Sequence, residues 1–209
     1  MVESVGIAIV AFFAGAIPFS YIAARHRAGV DLRAVGTGTV SGTSLYRVTG
    51  FGTLAVAGVA DVAKGAVGPV LAGDHTGLAA VCAGLAVAGH NWSPFLRGAG
   101  GRGLSPALGA LLVISWPGTV LLLLGMVLGK FAHQTGLGVF VALLLLIPLL
   151  AYTAGSSGAL AGVCILVPML TKRVFGNGPP PQRDLHAYIH RLGFDNDEVA
   201  SLRLDEGLS

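Results

Sequence analysis

The sequence predicts an all-α, polytopic membrane protein of about seven transmembrane helices, joined by Gly-rich loops on the cytosolic side. Three observations carry this prediction. Of the 209 residues, 54% are hydrophobic and 11% charged, with mean hydropathy +0.77, whereas a water-soluble domain of this length exposes far more charge. The apolar residues fall into runs at about 5–24, 51–73, 77–96, 104–130, 136–153 and 156–174, most of them near the roughly 20 residues that a span needs. The basic residues gather in alternate connections, as expected for a cytosolic face. The 32 glycines fit close helix approach in a bilayer.

Taken in order, the run 5–24 carries Glu3 before it and Arg25 and Arg27 behind it. That polarity fits a retained span with the N-terminus outside, not a signal peptide with a basic leader. The connection 25–50 is then inside, the Asp74–His75 turn outside, and the connection 97–103, with Arg97 and Arg102, inside. A continuous helix over 104–130 would send Lys130, His133, Lys172 and Arg173 outside. A break at Ser115-Trp116-Pro117-Gly118 returns all four to the inside, and Pro with Gly is the expected breaker. The two halves are short, about 18–20 Å each at the helical rise, so neighbours must half-bury them or the bilayer must thin. Seven segments result, with the C-terminus inside.

Gly176-Asn-Gly-Pro-Pro-Pro181 closes the last span. The chain therefore divides into a membrane domain, 1–175, and a polar cytosolic tail, 176–209. Within the tail, 182–204 has a loose helical period that suits a short helix lying on the cytosolic face. Up to Arg173 the chain has ten Lys or Arg and four acids, and from Gly176 onward three Arg and six acids. The basic excess thus belongs to the membrane loops and gives no reason to invoke nucleic acid. Cys82 and Cys164 lie inside apolar runs without metal-ligand spacing.

Chemistry concentrates in two Gly-rich basic stretches. Val35 to Gly50 is dense in Gly, Thr and Ser, flanked by Arg33 and carrying Arg47. Such a tract commonly serves as a flexible linker. It can also form a nest of backbone N–H groups for an anion, with Gly36 and Gly38 supplying the backbone freedom. Thr37, Thr39, Ser41, Thr43 and Ser44 would add hydroxyls and Arg47 a guanidinium fork suited to phosphate. The second stretch, Gly100-Gly101-Arg102-Gly103, opens a helix whose N-terminus attracts anions. His90 and Asn91 sit just before it, where His90 can anchor at the interface or serve as a proton or hydrogen-bond group. Asp61 and Lys64 are three apart in an apolar run, so they share a helix face. They pair for packing, or Lys64 offers its charge to an anion while Asp61 holds it. The topology puts both Gly-rich stretches on one membrane side, and one composite anion site follows. Nearly all charge lies at that face, which argues against a transporter with mid-membrane relays.

These residues, in this order, resemble a family. Gly15-Ala-Ile-Pro-Phe-Ser-Tyr21, Gly29-Val-Asp-Leu-Arg33, Gly36 to Arg47, Asp61 to Gly65, Gly89-His-Asn91 and Gly100 to Gly103 look like the bacterial acyl-phosphate:glycerol-3-phosphate acyltransferases, the PlsY family. The resemblance covers about residues 10–170. It implies a seven-helix enzyme of the bacterial inner membrane that moves a fatty acyl group from acyl phosphate to glycerol 3-phosphate. The product would be lysophosphatidic acid. It implies catalytic roles for Thr37, Arg47, Arg102 and His90, and substrate binding by Gly36, Gly38, Thr43, Lys64, Asn91, Gly101 and Gly103. No cofactor or metal is implied; the partners are the two substrates and membrane lipids, for a monomer or a homodimer. The chain departs from the family pattern at several places. Thr37 stands for Ser, Thr39 and Ser44 for two Asn, Ser41-Gly42 for Gly-Ala, and Arg102 for Lys. The family's His-Arg-x-Asn motif has no clean match at His186 or His190. The alternatives are a paralogue with another acceptor, one that only binds lipid or anions, and, less well supported, a small transporter. Two His-x4-Asp patterns, at His26 and His190, fit chance recurrence of two residue types.

Overall fold

The computed structural model describes residues 2–36, 38–178 and 185–194, and among them there is no strand. The first apolar run forms two helices, α1 (Val2–Ala16) and α2 (Phe19–Ala28), broken at Ile17-Pro18. This differs from the single helix expected over 5–24. Proline has no N–H to give the preceding turn, so carbonyls are freed at the break. Side chains from elsewhere in the fold satisfy two of them: Ser93 Oγ, from the connection after α5, donates to the Ala16 carbonyl at 2.7 Å and Lys64 Nζ to the Ile17 carbonyl at 2.6 Å.

The Gly/Thr/Ser tract is also more ordered than a linker. It contains α3 (Gly42–Thr49), started by Ser41, whose Oγ accepts from the Ser44 N–H at 3.3 Å. Next come α4 (Phe51–Ala72) and α5 (Thr76–Asn91). The expected break separates α6 (Leu104–Ile114) from α7 (Trp116–Phe131) at an extended Ser115. The run Thr135–Phe175, α8, is not one rod. Ala154 and Gly155 leave the helical region, and Gly155 takes φ +63°, ψ −152°, a conformation open to glycine. The chain doubles back there: Gly158 packs on the Leu150 carbonyl and Gly162 against Ile147. Its arms, 135–153 and 156–175, are two segments. Beyond them α9 (Leu185–Phe194) docks on α8, with Arg173 Nη1 donating to the Leu192 carbonyl at 3.2 Å.

The α1/α2 pair, α4, α5, α6, α7 and the two arms of α8 make seven apolar segments. By length and composition, Val2–Ala28, Phe51–Ala72 and Thr135–Phe175 suffice to cross a membrane, while α6 and α7 are shorter, with 11 and 16 residues. Side-chain bonds fix the ends of the bundle. Ser115 meets Thr153 at 3.0 Å and Thr76 meets Ser157 at 2.9 Å at one end. Arg173 Nη1 donates to the Gly136 carbonyl at 2.9 Å at the other. Lys130, Lys172 and Arg173 therefore share an end, as the charge pattern requires. The core is aliphatic, with Leu111, Leu122, Leu143, Leu146, Leu150 and Ile165 fully buried. Helices approach closely where side chains vanish: a Cβ on Gly65 would strike the Pro106 backbone, and one on Gly109 the Val62 carbonyl. Large apolar residues such as Phe51, Val56, Leu128 and Leu145 face outward, as suits a lipid surround.

Candidate anion site at the hinge end

The two Gly-rich stretches meet. The Val40 N–H donates to the Gly100 carbonyl at 3.1 Å, although the two residues lie far apart in sequence. A third segment clips them. Asn177 Nδ2 donates to the Gly38 carbonyl at 2.8 Å and to the Gly100 carbonyl at 3.1 Å, while its Oδ1 accepts from the Gly100 N–H at 3.2 Å. All three segments therefore converge at one end of the bundle.

In the first hinge, Gly36 and Gly38 both take positive φ, +56° and +70°. Thr37 lies outside the described residues. The expected N–H nest is narrowed, because the Gly38 N–H is spent on the Val35 carbonyl at 3.1 Å and that of Val40 on Gly100. The hydroxyls are engaged as well: Ser44 Oγ donates to the Thr39 carbonyl at 3.0 Å and Ser41 caps α3. What the hinge holds up is Arg47, from α3. A Cβ on Gly36 would lie 3.9 Å from Arg47 Nη1, so the guanidinium covers the glycine turn. Thr43 is exposed, four residues before Arg47 on the same helix face. The turn is anchored from behind by Asp31, whose carboxylate binds the Arg33 guanidinium at 2.7 Å and accepts from the Arg33 N–H at 2.9 Å. That guanidinium holds the Asp31 carboxyl well below its ordinary range, at about 2.

In the second hinge, Gly100 lies against the carbonyls of His90 and Asn91, and Gly101 against the His90 ring and the Val40 carbonyl. Neither place has room for a Cβ. Gly103, at φ +81°, turns the chain into α6, and Arg102 is half-buried beside it. Lys172, near the end of the second arm of α8, is buried with its Nζ 5.4 Å from the centroid of the Trp92 ring. Asn91 is buried, with Nδ2 donating to the Pro168 carbonyl at 2.8 Å.

Behind the hinges lies a polar cluster. Lys64 Nζ sits 2.6 Å from Asp61 Oδ1, and Asp61 Oδ2 accepts from Ser20 Oγ at 2.7 Å. Both charged residues are buried. In this arrangement the Lys64 charge is engaged by Asp61 and by the broken end of α1, which is the packing use of the pair. A void of about 10 Å³, lined in part by Ser20, Asp61, Lys64, His90, Gly100 and Gly101, adjoins the cluster. It has room for about one water molecule.

The structure thus gathers Gly36, Gly38 and Arg47 with Gly101, Arg102, Gly103, His90 and Asn91 at one end, and sets Lys64 behind them. Asn177 and Lys172 were not among the residues expected to form the site. Asn177 sat in a breaker cluster taken as the start of the tail, and Lys172 served only as a topological marker. Of the discounted His-x4-Asp patterns, His26 is exposed and Asp31 is bound to Arg33, while Asp195 lies outside the described residues.

Fold and site together define a polytopic membrane protein that gathers two glycine hinges and their arginines at one end of a helical bundle. The Glycerol-3-phosphate acyltransferase family model matches residues 5–175, and the chain belongs to that family. Among its relatives is the glycerol-3-phosphate acyltransferase of Synechococcus sp. CC9902, 35% identical over 76% of this chain and 81% of the relative. That of Thermotoga petrophila is 34% identical over 65% of this chain and 71% of the relative. Glycerol-3-phosphate acyltransferase 5 of Dehalococcoides mccartyi is 40% identical over 56% of this chain, a match that spans about half the relative's length, 52%. The crystal structure of PlsY (YgiH), an integral membrane glycerol 3-phosphate acyltransferase, in its glycerol 3-phosphate form, is similar in fold. Its TM-score is 0.74 at 22% identity, covering 81% of this chain and 88% of that one.

Proposed function

We propose that this protein is a membrane acyltransferase that moves a fatty acyl group from acyl phosphate to glycerol 3-phosphate, giving lysophosphatidic acid. The observation that carries the reading is the meeting of the two hinges, with Arg47 over one and Arg102 on the other. Family membership supports acyl transfer to glycerol 3-phosphate. The acyl phosphate donor rests on the motif resemblance and on the chemistry of the site.

An acyl phosphate is already activated, because its leaving group is a phosphate. The site therefore needs no nucleophile of its own. It needs cations to hold two anionic reactants and to orient a hydroxyl on the acyl carbon. The acceptor oxygen bonds to that carbon, the bond to the phosphate oxygen breaks, and the departing phosphate takes the hydroxyl proton. Arg47 and Arg102 stabilise the charge that grows on the phosphate. Thr37 and Thr43 are hydroxyl donors to substrate at the first hinge, and His90 is a hydrogen-bond group beneath the second. Lys64, braced by Asp61, supports the positive field of the site. An apolar groove of about 300 Å³ between α2 and α4 is lined by Phe19, Ile22 and Val56 and also by Arg27. A groove with apolar walls and a cation suits an amphiphilic donor. The hinge end is assigned to the cytoplasmic side of the bacterial inner membrane, with the N-terminus outside.

The test is direct. Purified protein receives palmitoyl phosphate and glycerol 3-phosphate, and lysophosphatidate and released phosphate are measured. Formation of both products together is the expected result. Turnover only with another alcohol would mean a changed acceptor. Silence with every acceptor would leave a lipid- or anion-binding protein.

A further inference from the structure

The family match ends at residue 175, and two features of this chain lie beyond it: the Asn177 clip and α9. Two arginines join them. Arg191, in the last turn of α9, is 7% exposed, and its Nη1 donates to the Gly178 carbonyl at 2.9 Å. In the other direction Arg173, near the end of α8, donates through Nη1 to the Leu192 carbonyl at 3.2 Å and to the Gly136 carbonyl at 2.9 Å. The α8 end and α9 thus each hold a carbonyl of the other, and Arg173 ties both to the start of the first arm. The docked face of α9 is Ala187, Tyr188, Arg191 and Leu192, buried or half-buried, while Leu185, His186 and Ile189 are exposed.

The turn held by Arg191 is the one that carries the clip. Gly176 leaves α8 at φ +60°, ψ −146°, a conformation open to glycine. A Cβ there would lie 3.3 Å from Arg191 Nη1, so the guanidinium covers the turn from one side. On the other side Asn177 reaches the Gly38 and Gly100 carbonyls with Nδ2 and the Gly100 N–H with Oδ1. Three bonds from one amide require its plane to be set. An Asn between two glycines has wide backbone freedom, which must be lost before those bonds form. Fixing the Gly178 carbonyl removes part of that freedom in advance, which is preorganisation.

We propose that α9 is a positioning element for the hinge end, and that Arg191 is its positioning residue: by holding the Gly176–Gly178 turn it aims Asn177 at both hinges. Arg191 itself touches no reactant. The effect on catalysis rests on the acyl-transfer reading, whereas the effect on the hinges does not. A part of the chain outside the family match thereby takes part in assembling the site.

The competing use of α9 is packing alone, and a double-mutant cycle separates the two. Amide hydrogen exchange is followed on the full chain in detergent for Arg191→Ala, Arg191→Lys, Asn177→Ala and the double variant Arg191→Ala with Asn177→Ala. The Gly100 N–H, which Asn177 accepts, and the Val40 N–H, which Gly100 accepts, report the clip. Asn177→Ala should speed exchange over 38–41 and 98–101. Arg191→Ala should speed the same two segments by up to about tenfold, the scale of one charge-assisted hydrogen bond, and Arg191→Lys should recover part of the change. With Asn177→Ala already present, Arg191→Ala should add nothing at either hinge. The buried segment 142–150 should exchange at the parental rate throughout. In the acyl-transfer assay kcat/KM should fall by the same factor in Arg191→Ala, and in the double variant no further than in Asn177→Ala. Parental exchange at both hinges in Arg191→Ala would overturn the proposal, and with a lowered unfolding temperature it would make α9 a packing element. Effects that multiply in the double variant would also overturn it, since Arg191 would then act by another route. A parent protein silent in acyl transfer, with the expected exchange pattern, would instead overturn the reaction and leave the positioning role standing.

Discussion

Replacing Asn177 by Ala removes the three hydrogen bonds that clip the hinges, and little else. The side chain is exposed, so water competes for each bond. We take each at the low end of the usual range, about 0.5–1 kcal/mol, and the three together at about 1.5–3 kcal/mol. At about 1.4 kcal/mol per tenfold, the equilibrium between joined and parted hinges moves by about one to two orders of magnitude. The Val40 to Gly100 bond remains and limits the loss. If the joined form is the one that binds both anions, kcat/KM for acyl transfer falls by about tenfold to a hundredfold. The unfolding temperature changes little, because the core is untouched.

Asn177→Asp sharpens the test. It keeps the acceptor for the Gly100 N–H but loses both donors and turns an anion toward two carbonyl oxygens. It should be no better than Asn177→Ala, despite being the closer isostere. The assay is initial rate against each substrate in turn, on protein of verified helicity. Wild-type kcat/KM in Asn177→Ala, or an Asp variant midway between Ala and wild type, would refute the idea that this clip assembles the site.

Three further outcomes are expected. Arg47→Ala and Arg102→Ala should each lower turnover by about two orders of magnitude, the scale of losing one charge-stabilising group, and wild-type rates would remove them from the site. Asp61→Asn leaves Lys64 buried without its counter-charge and should cost about 3–5 kcal/mol of stability. Thermal unfolding reads this, and the double variant with Lys64→Met should recover most of it; an unchanged midpoint would sink the account. The folded value of Asp31, about 2, lies below its ordinary 3.8, so its contribution is full above about pH 4 and lost as pH falls toward 2. Exchange of the Arg33 amide should quicken across that window, and Arg33→Ala, which keeps the backbone N–H but loses the guanidinium, should move the step to higher pH.

The seven-segment plan was legible because two independent signals agreed on it. Trp116-Pro117-Gly118 supplies a breaker, and Lys130, Lys172 and Arg173 need that break to reach the basic side. The meeting of the hinges was legible for the same reason, as topology alone puts Gly36 and Arg102 on one side. Other features left weaker traces. Pro18 lies in an apolar run whose length already suited one span, so nothing demanded a break there. The eight residues of α3 are too few to display a period, and their Gly, Thr and Ser content reads as loop. The bond from Asn177 to Gly38 spans 139 residues, and no local pattern records such a contact.

The altered hydroxyls of the first hinge bear on what the site recognises. Ser41 and Ser44, which fall within the departures from the family pattern, have polar atoms engaged in starting α3 and in holding the Thr39 carbonyl. Their work in this chain is to fix the pitch of a short helix, and so the direction in which Arg47 leaves it. Ser44 in place of Asn, and Ser41 in place of Gly, can then preserve the proposed anion binding, provided the guanidinium arrives in the same place. Arg102 in place of Lys has the opposite character. A guanidinium binds two oxygens in a fixed plane and keeps its charge when desolvated, where an ammonium adapts its direction. Lys172, from the end of the last arm, brings an adaptable point charge to the same end of the bundle. On the proposed reading, recognition of phosphate would then depend on the placement of cations more than on the family pattern's hydroxyls and amides.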